Sequence, residues 1–249
     1  MEQSSRGQRI AFFGGSFDPP HLGHLAVARA AQSALQLDSV LFAPVGAQPL
    51  KPQGSTAAFE DRAQMTRLAI AGIAGFSLSL ADAPRPSSAP NYTYETLQEL
   101  RASLPPATTL FCLMGADSFF SLRRWHRSAE IPFVAPMIVA SRPGQDLLGL
   151  RAALPAGLTM EAAPVIASEP LSGDPSLPHS ELRSCLLRNT AGETAPFYLL
   201  PGLHVEISAS QVRDWIRAQD HPQADTPAPG NALLRPAVLD YIRSHGLYL

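Results

Sequence analysis

The sequence predicts an α/β protein built on a doubly wound parallel sheet. Short apolar runs alternate with helix-length amphipathic segments from residue 9 to residue 142. Such alternation is typical of parallel strands joined by right-handed helical crossovers. The length of 249 residues suits one α/β domain, and an apolar share of 45% is enough for a large core. A wholly disordered chain is therefore excluded.

The elements follow in order along one predicted domain, residues 1–249. The predicted strands are apolar runs at 9–13, 40–45, 76–80, 109–115 and 135–142. The predicted helices, with apolar residues at helical spacing, cover 22–35, 59–72 and 93–104.

Two further segments complete the domain. Residues 143–196 are rich in Pro, Ala and Ser, with a loop predicted at 168–180, and we interpret them as a surface insertion rather than a flap over substrate. A proline-rich linker at 221–230 leads to a C-terminal helical segment, 231–249. Pro236 suits the first turn of that helix and Gly246 its C′ position.

Charge and cysteine content exclude several classes of function. Nineteen basic and 21 acidic residues give a net charge of −2, which argues against nucleic acid or a membrane as the main partner. No apolar run approaches the ~20 residues of a membrane span, and the first residues lack a signal-peptide core. The two cysteines exclude a disulfide scaffold, so a cytoplasmic location is expected. The sequence leaves the oligomeric state open, and a homo-oligomer is allowed.

The segment GGSFDPPHLGH, residues 14–24, joins the first strand to the first helix. Ligands of open α/β sheets bind at such carboxyl strand ends, and this segment is neither a Walker loop nor GxGxxG. Glycines let the backbone turn and approach a ligand, and helix amides favour phosphate. His21 and His24 would share one helix face and could donate to phosphate oxygens. A metal site or a surface role is the alternative; we favour phosphate because no cysteine or third histidine lies nearby.

A second segment, ISASQVR at 207–213, is typical of a capped helix start. Ser208 suits the N-cap position, and Gln211, three residues on, completes a capping box. Ser210 and Arg213 would follow in the first turns, where the Arg fork suits a polyphosphate. Taken alone, the segment favours the simpler alternative of an ordinary helix whose Arg213 faces solvent.

GGSFDPPHLGHL resembles the signature of the HxGH nucleotidyltransferase superfamily. Together with NYTYETL (91–97), LMGADSF (113–119), RRWH (123–126), SRPG (141–144), ISASQVR and the ending LLRPAVLDYIRSHGLYL, it makes the chain similar to nicotinate-nucleotide adenylyltransferases over roughly 9–145 and 197–249. The resemblance implies a Rossmann-like nucleotidyltransferase fold. It also implies transfer of AMP from ATP to nicotinate mononucleotide, which yields deamido-NAD and pyrophosphate.

The resemblance also assigns roles to individual residues. Those implied for catalysis are His21, His24, Lys51 and Arg213. Those implied for ATP binding are Gly14, Gly15, Ser16, Phe17, His21, Gly23, His24, Ile207, Ser208, Ser210 and Arg213. Those implied for the mononucleotide are Tyr92, Thr93, Asp117 and Trp125, with the Trp125 indole stacked on the pyridine ring. The structural alternatives are core packing for Trp125 and an N-cap for Asp117.

Mg²⁺ is the expected cofactor, bound mainly through ATP phosphates, and no dedicated metal ligand is assigned. One position departs from the family pattern, because Leu50 stands where the family usually has a histidine before Lys51. This departure weakens the expectation for turnover more than that for nucleotide binding. The missing histidine keeps a catalytically weak nucleotide-binding sensor open as an alternative. An enzyme that prefers nicotinamide mononucleotide also stays open, because an amide and a carboxylate differ by only a few atoms in one pocket.

Overall fold

Eight strands form one sheet in the part of the chain that the computed structural model describes, residues 7–51, 53–86, 89–141, 147–162, 182–200, 207–220 and 233–249. The strands are β1 Arg9–Gly15, β2 Ser39–Pro44, β3 Phe76–Leu78, β4 Thr109–Gly115, β5 Met137–Ala140, β6 Thr159–Ala162, β7 Arg183–Arg188 and β8 Thr194–Leu200. Their spatial order is β3-β2-β1-β4-β5-β8-β7-β6.

The first five strands and β8 pair in parallel, which confirms the predicted doubly wound α/β class. From β1 the chain first builds outward to β2 and β3 and then returns to add β4 and β5 on the other side. The strand order therefore reverses between β1 and β4. Open α/β sheets bind ligands in the crevice at such a reversal, outside the carboxyl ends of the strands.

The far edge of the sheet is antiparallel, which the sequence analysis did not predict. β6 pairs with β7 and β7 with β8, all starting within 143–196. The turn between β7 and β8 is too short for a crossover helix, so these strands can pair only in the antiparallel sense. The described part of the presumed surface insertion thus extends the sheet and buries Leu187 and Cys185. The predicted loop at 168–180 and linker at 221–230 lie outside the described residues.

Helices flank the sheet, and a helix is the last element of the described residues. They are α1 Leu22–Leu35, α2 Phe59–Ile70, α3 Thr93–Ser103, α4 Ala116–Phe120, a 3₁₀ turn Leu122–Arg124, α5 Ile131–Val134, α6 Leu147–Ala152, α7 Ala209–Asp220 and α8 Pro236–Ser244. Pro236 opens α8 after the N-cap Arg235, and Gly246 follows it with φ 59°, as predicted for both. None of the described helices has the length and apolar content to cross a bilayer.

Three apolar clusters hold these layers together. One lies on each face of the sheet, around Phe197 and around Phe42. The third joins α2, α7 and α8 through residues that include Met65, Val212 and Val238. This third cluster fixes the helix that carries the second predicted phosphate segment against the body of the domain.

Candidate active site

A cavity of about 510 Å³ opens where the strand order reverses. Every residue that the sequence analysis proposed for the site lines it. These are Gly14, Gly15, Ser16, Phe17, His21, Gly23, His24, Lys51, Tyr92, Thr93, Asp117, Trp125, Ile207, Ser208, Ser210 and Arg213. The fold therefore brings together two turns distant in sequence and the segments between them.

His21 and His24 lie at the start of α1 with their rings stacked, the ring centres 3.7 Å apart. The prediction that the two imidazoles share one side of the helix is confirmed. The backbone N–H of His21 donates to Nδ1 of His24 at 3.1 Å. Since that nitrogen accepts, the neutral His24 ring carries its proton on Nε2.

The His24 imidazole is enclosed by aromatic rings. The centre of the Phe17 ring lies 4.9 Å and that of Phe13 6.1 Å from the His24 ring. Burial, and secondly the neighbouring His21, lower the pKa of His24 well below its usual value. His24 is therefore neutral at pH 7 and offers an N–H donor rather than a cation.

Gly14 and Gly15 line the cavity but do not form the turn that was expected of them. Gly14 and Gly15 complete β1, opposite Ala43 and Pro44, instead of forming the turn. A Cβ on Gly14 would lie 2.8 Å from the Phe12 ring, so glycine is required there by packing. The left-handed turn comes at Phe17, with φ 46°.

Lys51 is held beside this turn. Its Nζ donates to Ser16 Oγ at 3.1 Å, and Ser16 Oγ donates to Gln48 Oε1 at 3.0 Å. The Lys51 ammonium group is thus held by the side chain of the first residue after β1, Ser16. Leu50, at the position of the family's usual histidine, also lines the cavity and supplies no hydrogen bond from its side chain.

The second turn meets the first through Arg213. The capping box of α7 is confirmed, because the Gln211 N–H donates to Ser208 Oγ at 3.2 Å and the Ser208 N–H to Gln211 Oε1 at 2.8 Å. Arg213 Nη1 donates to the Asp18 carbonyl at 2.7 Å, and Nη2 to Ser210 Oγ at 3.2 Å. The guanidinium is therefore directed at the first turn, which overturns the solvent-facing alternative.

Two residues that support the first turn were missed by the sequence analysis. The carboxylate of Asp18 accepts from the N–H groups of Thr56 at 2.6 Å and Ala57 at 3.1 Å. Arg62 is buried and donates to the carbonyls of Ser16 at 2.7 Å and Val45 at 2.8 Å. Its pKa is lowered by burial, and Asp18 opposes that effect. Nothing in the pattern around Arg62 distinguishes it from an ordinary charge in the first turns of a helix.

The other end of the cavity holds the residues predicted for the mononucleotide. The Trp125 indole N–H donates to Ser121 Oγ at 2.9 Å, and the half-buried ring both packs on the core and lines the cavity. Asp117 is the second residue of α4, whose N-cap is Gly115, so the N-cap alternative for Asp117 is wrong.

Tyr92 caps α3 and carries a contact that the sequence analysis did not anticipate. Its ring centre lies 4.6 Å from that of His126, which also lines the cavity. His126 Nε2 lies 3.1 Å from Glu95 Oε1. The imidazole is thereby held between an aromatic ring and a carboxylate, at the end of the cavity that the sequence analysis predicted for the mononucleotide.

The fold and these two facing turns define a nucleotidyltransferase, and residues 12–214 match the model of the cytidylyltransferase-like family. Relatives called "Probable nicotinate-nucleotide adenylyltransferase" are 35% identical in Gloeobacter violaceus, over 97% of both chains, and 34% in Xylella fastidiosa, over 95% of both. The chain belongs to the nicotinate-nucleotide adenylyltransferase family.

Solved structures agree with this fold. The chain is similar to the Plasmodium falciparum nicotinic acid mononucleotide adenylyltransferase complexed with NaAD, with a TM-score of 0.65 and 17% identity over 97% of both chains. The same enzyme complexed with APC gives a TM-score of 0.63 at 16% identity, over 97% of both chains. At these identities the likeness concerns the fold.

Proposed function

We propose that this chain transfers the adenylyl group of ATP to nicotinate mononucleotide, which yields deamido-NAD and pyrophosphate in NAD biosynthesis. The observation that carries the proposal is one shared cavity, which is lined by both turns that were predicted to face phosphate and also by Tyr92 and Trp125. Membership of the family supports the same reaction. The donors at one end suit a triphosphate, and the aromatic groups at the other suit a flat heterocycle.

At the triphosphate end, the chemistry needs alignment and charge stabilisation rather than an activated side chain. The mononucleotide phosphate is already an anion at neutral pH, and it attacks the α-phosphorus of ATP while pyrophosphate leaves. No general base is required, so the protein acts by positioning and by electrostatics. His21 and the Nε2–H of neutral His24 would donate to phosphoryl oxygens, and Lys51 and Arg213 would balance the charge of the pyrophosphate.

At the acceptor end, the Trp125 indole would stack on the pyridine ring. Its hydrogen bond to Ser121 holds the indole plane in place before substrate arrives. The backbone N–H groups at the start of α3, from Thr93 on, favour an anion such as the nicotinate carboxylate. Asp117, at the cavity wall, is proposed to bind the ribose hydroxyls.

Mg²⁺ fits this site as part of the nucleotide complex. The four side chains proposed to contact the phosphates in catalysis, those of His21, His24, Lys51 and Arg213, offer nitrogen atoms, whereas Mg²⁺ prefers oxygen. The Asp18 carboxylate already accepts hydrogen bonds from Thr56, Ala57 and Tyr248. We therefore propose that ATP phosphate oxygens and water hold the ion, which neutralises phosphate charge when bound. His21, His24, Lys51 and Arg213 then supply the protein's own contacts to the phosphates.

Pyrophosphate release from Mg-ATP tests the proposal. We expect release that depends on nicotinate mononucleotide, is lost with EDTA and returns with excess Mg²⁺. Replacing the acceptor by nicotinamide mononucleotide should lower kcat/KM, and the reverse preference would assign the amide as substrate. If ATP binds but no pyrophosphate is released from it in the presence of either acceptor, the enzymatic function is overturned and a nucleotide sensor is favoured, the alternative that Leu50 motivates.

We propose the cytoplasm as the cellular setting of this chain. The two cysteines, Cys112 and Cys185, are buried thiols, which suits a reducing compartment. Burial raises the pKa of Cys112 to about 12, so this thiol, although beside the cavity, is not a nucleophile at pH 7.

A further inference from the structure

The end of the described chain turns back toward the first phosphate turn. After α8, the N–H of Leu247 donates to the Ile242 carbonyl at 3.0 Å and that of Gly246 to the Arg243 carbonyl at 3.3 Å. This is the Schellman pattern, in which a left-handed residue reverses the direction of the chain. The reversal sends the next residue, Tyr248, back into the protein, where it is 6% exposed.

The Tyr248 hydroxyl donates to Asp18 Oδ1 at 2.8 Å, across 230 positions of sequence. Asp18 is the residue whose carbonyl accepts from Arg213, and it lies three residues before His21. We propose that Tyr248 is a positioning residue of the ATP site, which holds Asp18 so that Arg213 and the HxGH turn face the same triphosphate. This inference rests on the proposed function and adds the C-terminal tail to the site.

The contacts of Asp18 explain why this one hydroxyl matters. Asp18 Oδ2 accepts from Thr56, whereas Oδ1 accepts from both Ala57 and Tyr248. Asp18 is itself 5% exposed, so water cannot readily replace a lost donor. Without Tyr248, the carboxylate can rotate toward its remaining donors and move the carbonyl that orients Arg213.

The local backbone supports a positioning role. Tyr248 has a φ of 68°, a left-handed value that a tyrosine rarely adopts and that persists only where surrounding contacts impose it. Burial and the adjacent Asp18 carboxylate raise the pKa of Tyr248 far above its usual value. The hydroxyl therefore remains protonated and a donor throughout the working pH range.

The substitution Y248F removes the hydroxyl and keeps the ring. We expect about a ten-fold rise in KM for ATP or a comparable fall in kcat, with KM for nicotinate mononucleotide changed less than two-fold. The dissociation constant for a methylene analogue of ATP that cannot react should rise to a similar extent. Kinetics and binding are measured at a temperature well below the unfolding midpoint of every variant.

The chain provides a matched control. The Tyr241 hydroxyl donates to Asp61 Oδ1 at 2.9 Å, which makes a second tyrosine–aspartate bond from the C-terminal segment, in this case to α2. Neither Tyr241 nor Asp61 lines the cavity. Y241F should lower the melting temperature and leave the ATP parameters unchanged. A Leu249→Ala variant, altered at a side chain 65% exposed, should resemble wild type in both.

Two outcomes would overturn the positioning role. One is wild-type ATP affinity and kcat in Y248F; the other is a loss in Y248F no larger than that in Y241F at an equal drop in melting temperature. Binding of the methylene analogue requires no turnover, so it separates the two proposals. Weakened analogue binding in Y248F supports the tail's role even if the acceptor proves not to be nicotinate mononucleotide.

Discussion

Asp82 supplies the sharpest test of the structure, because it is a buried carboxylate beside the cavity. The side chain is 4% exposed and accepts from Thr96 Oγ1 at 2.8 Å. Burial raises its pKa from 3.8 to about 6; Thr96, Arg85 and Asn91 oppose the rise, and Glu99 adds to it. The perturbation is Asp82→Asn, which keeps an oxygen acceptor for Thr96 and removes the titration.

The magnitude follows from linkage between proton binding and folding. In the folded protein Asp82 holds its proton to a higher pH than in the unfolded chain, so the native state binds more protons between pH 4 and 6. The protonated form's contribution to stability is complete below pH 3.8 and is lost as the pH rises through 6. At ~1.4 kcal/mol per pH unit, the rise from 3.8 to about 6 amounts to about 3 kcal/mol.

Urea unfolding of both proteins from pH 4 to pH 7.5 measures this quantity. The free energy of unfolding of wild type, minus that of Asp82→Asn, should fall by about 2.5 kcal/mol between pH 4 and pH 7 and stay level above that, since the remaining part is already lost in the unfolded chain's titration below pH 4. The subtraction removes the titration of all groups that the two proteins share. A flat difference, or one that rises with pH, would refute the burial of an ionisable Asp82 at this position.

Three further changes address the cavity itself. His24→Ala should lower kcat by ~10²–10³ with native circular dichroism, since it removes one transition-state donor; near-wild-type turnover would contradict that role. Leu50→His should raise kcat about ten-fold with little effect on KM for ATP, because it adds a donor beside Lys51, and an unchanged kcat would show that the site works without an imidazole there. Trp125→Ala should raise KM for nicotinate mononucleotide about ten-fold while KM for ATP stays constant, in steady-state assays that vary each substrate separately.

The sequence predicted those elements whose signals are local. The boundaries of α1 and β4 agree with the prediction to the residue, because Ala and Leu at helical spacing and a continuous apolar run are contained within each segment. The Ser208–Gln211 capping box was equally accessible, since both partners lie three residues apart. The candidate site residues were also named from sequence, through motifs that resemble those of a known family, and two of these motifs, at 14–24 and 113–119, lie at the ends of β1 and β4.

The remaining features depend on contacts between distant segments. β6 and β7 were missed because the many Pro, Ala and Ser residues of 143–196 favour a loop, while the pairing that makes β7 a strand is supplied by β8. Arg62 was missed because the groups that it binds lie outside its own helix. Its three carbonyl partners come from Ser16, Val45 and Ala57, and no spacing in the sequence relates them to it.

The orientation of Arg213 shows how distant packing and local periodicity together position a side chain that we propose to bind phosphate. Val212 and Ile216 are four residues apart on α7, so they share one helix face, and both are buried in the cluster with α2 and α8. That burial fixes the rotation of α7 about its axis. Ser210 and Arg213, three apart, then share another face, the one that lines the cavity. A polar substitution at Val212 should therefore impair ATP binding, although Val212 is not proposed to contact ATP. The substitution would weaken the packing that fixes the orientation of α7, and the Arg213–Asp18 contact depends on that orientation.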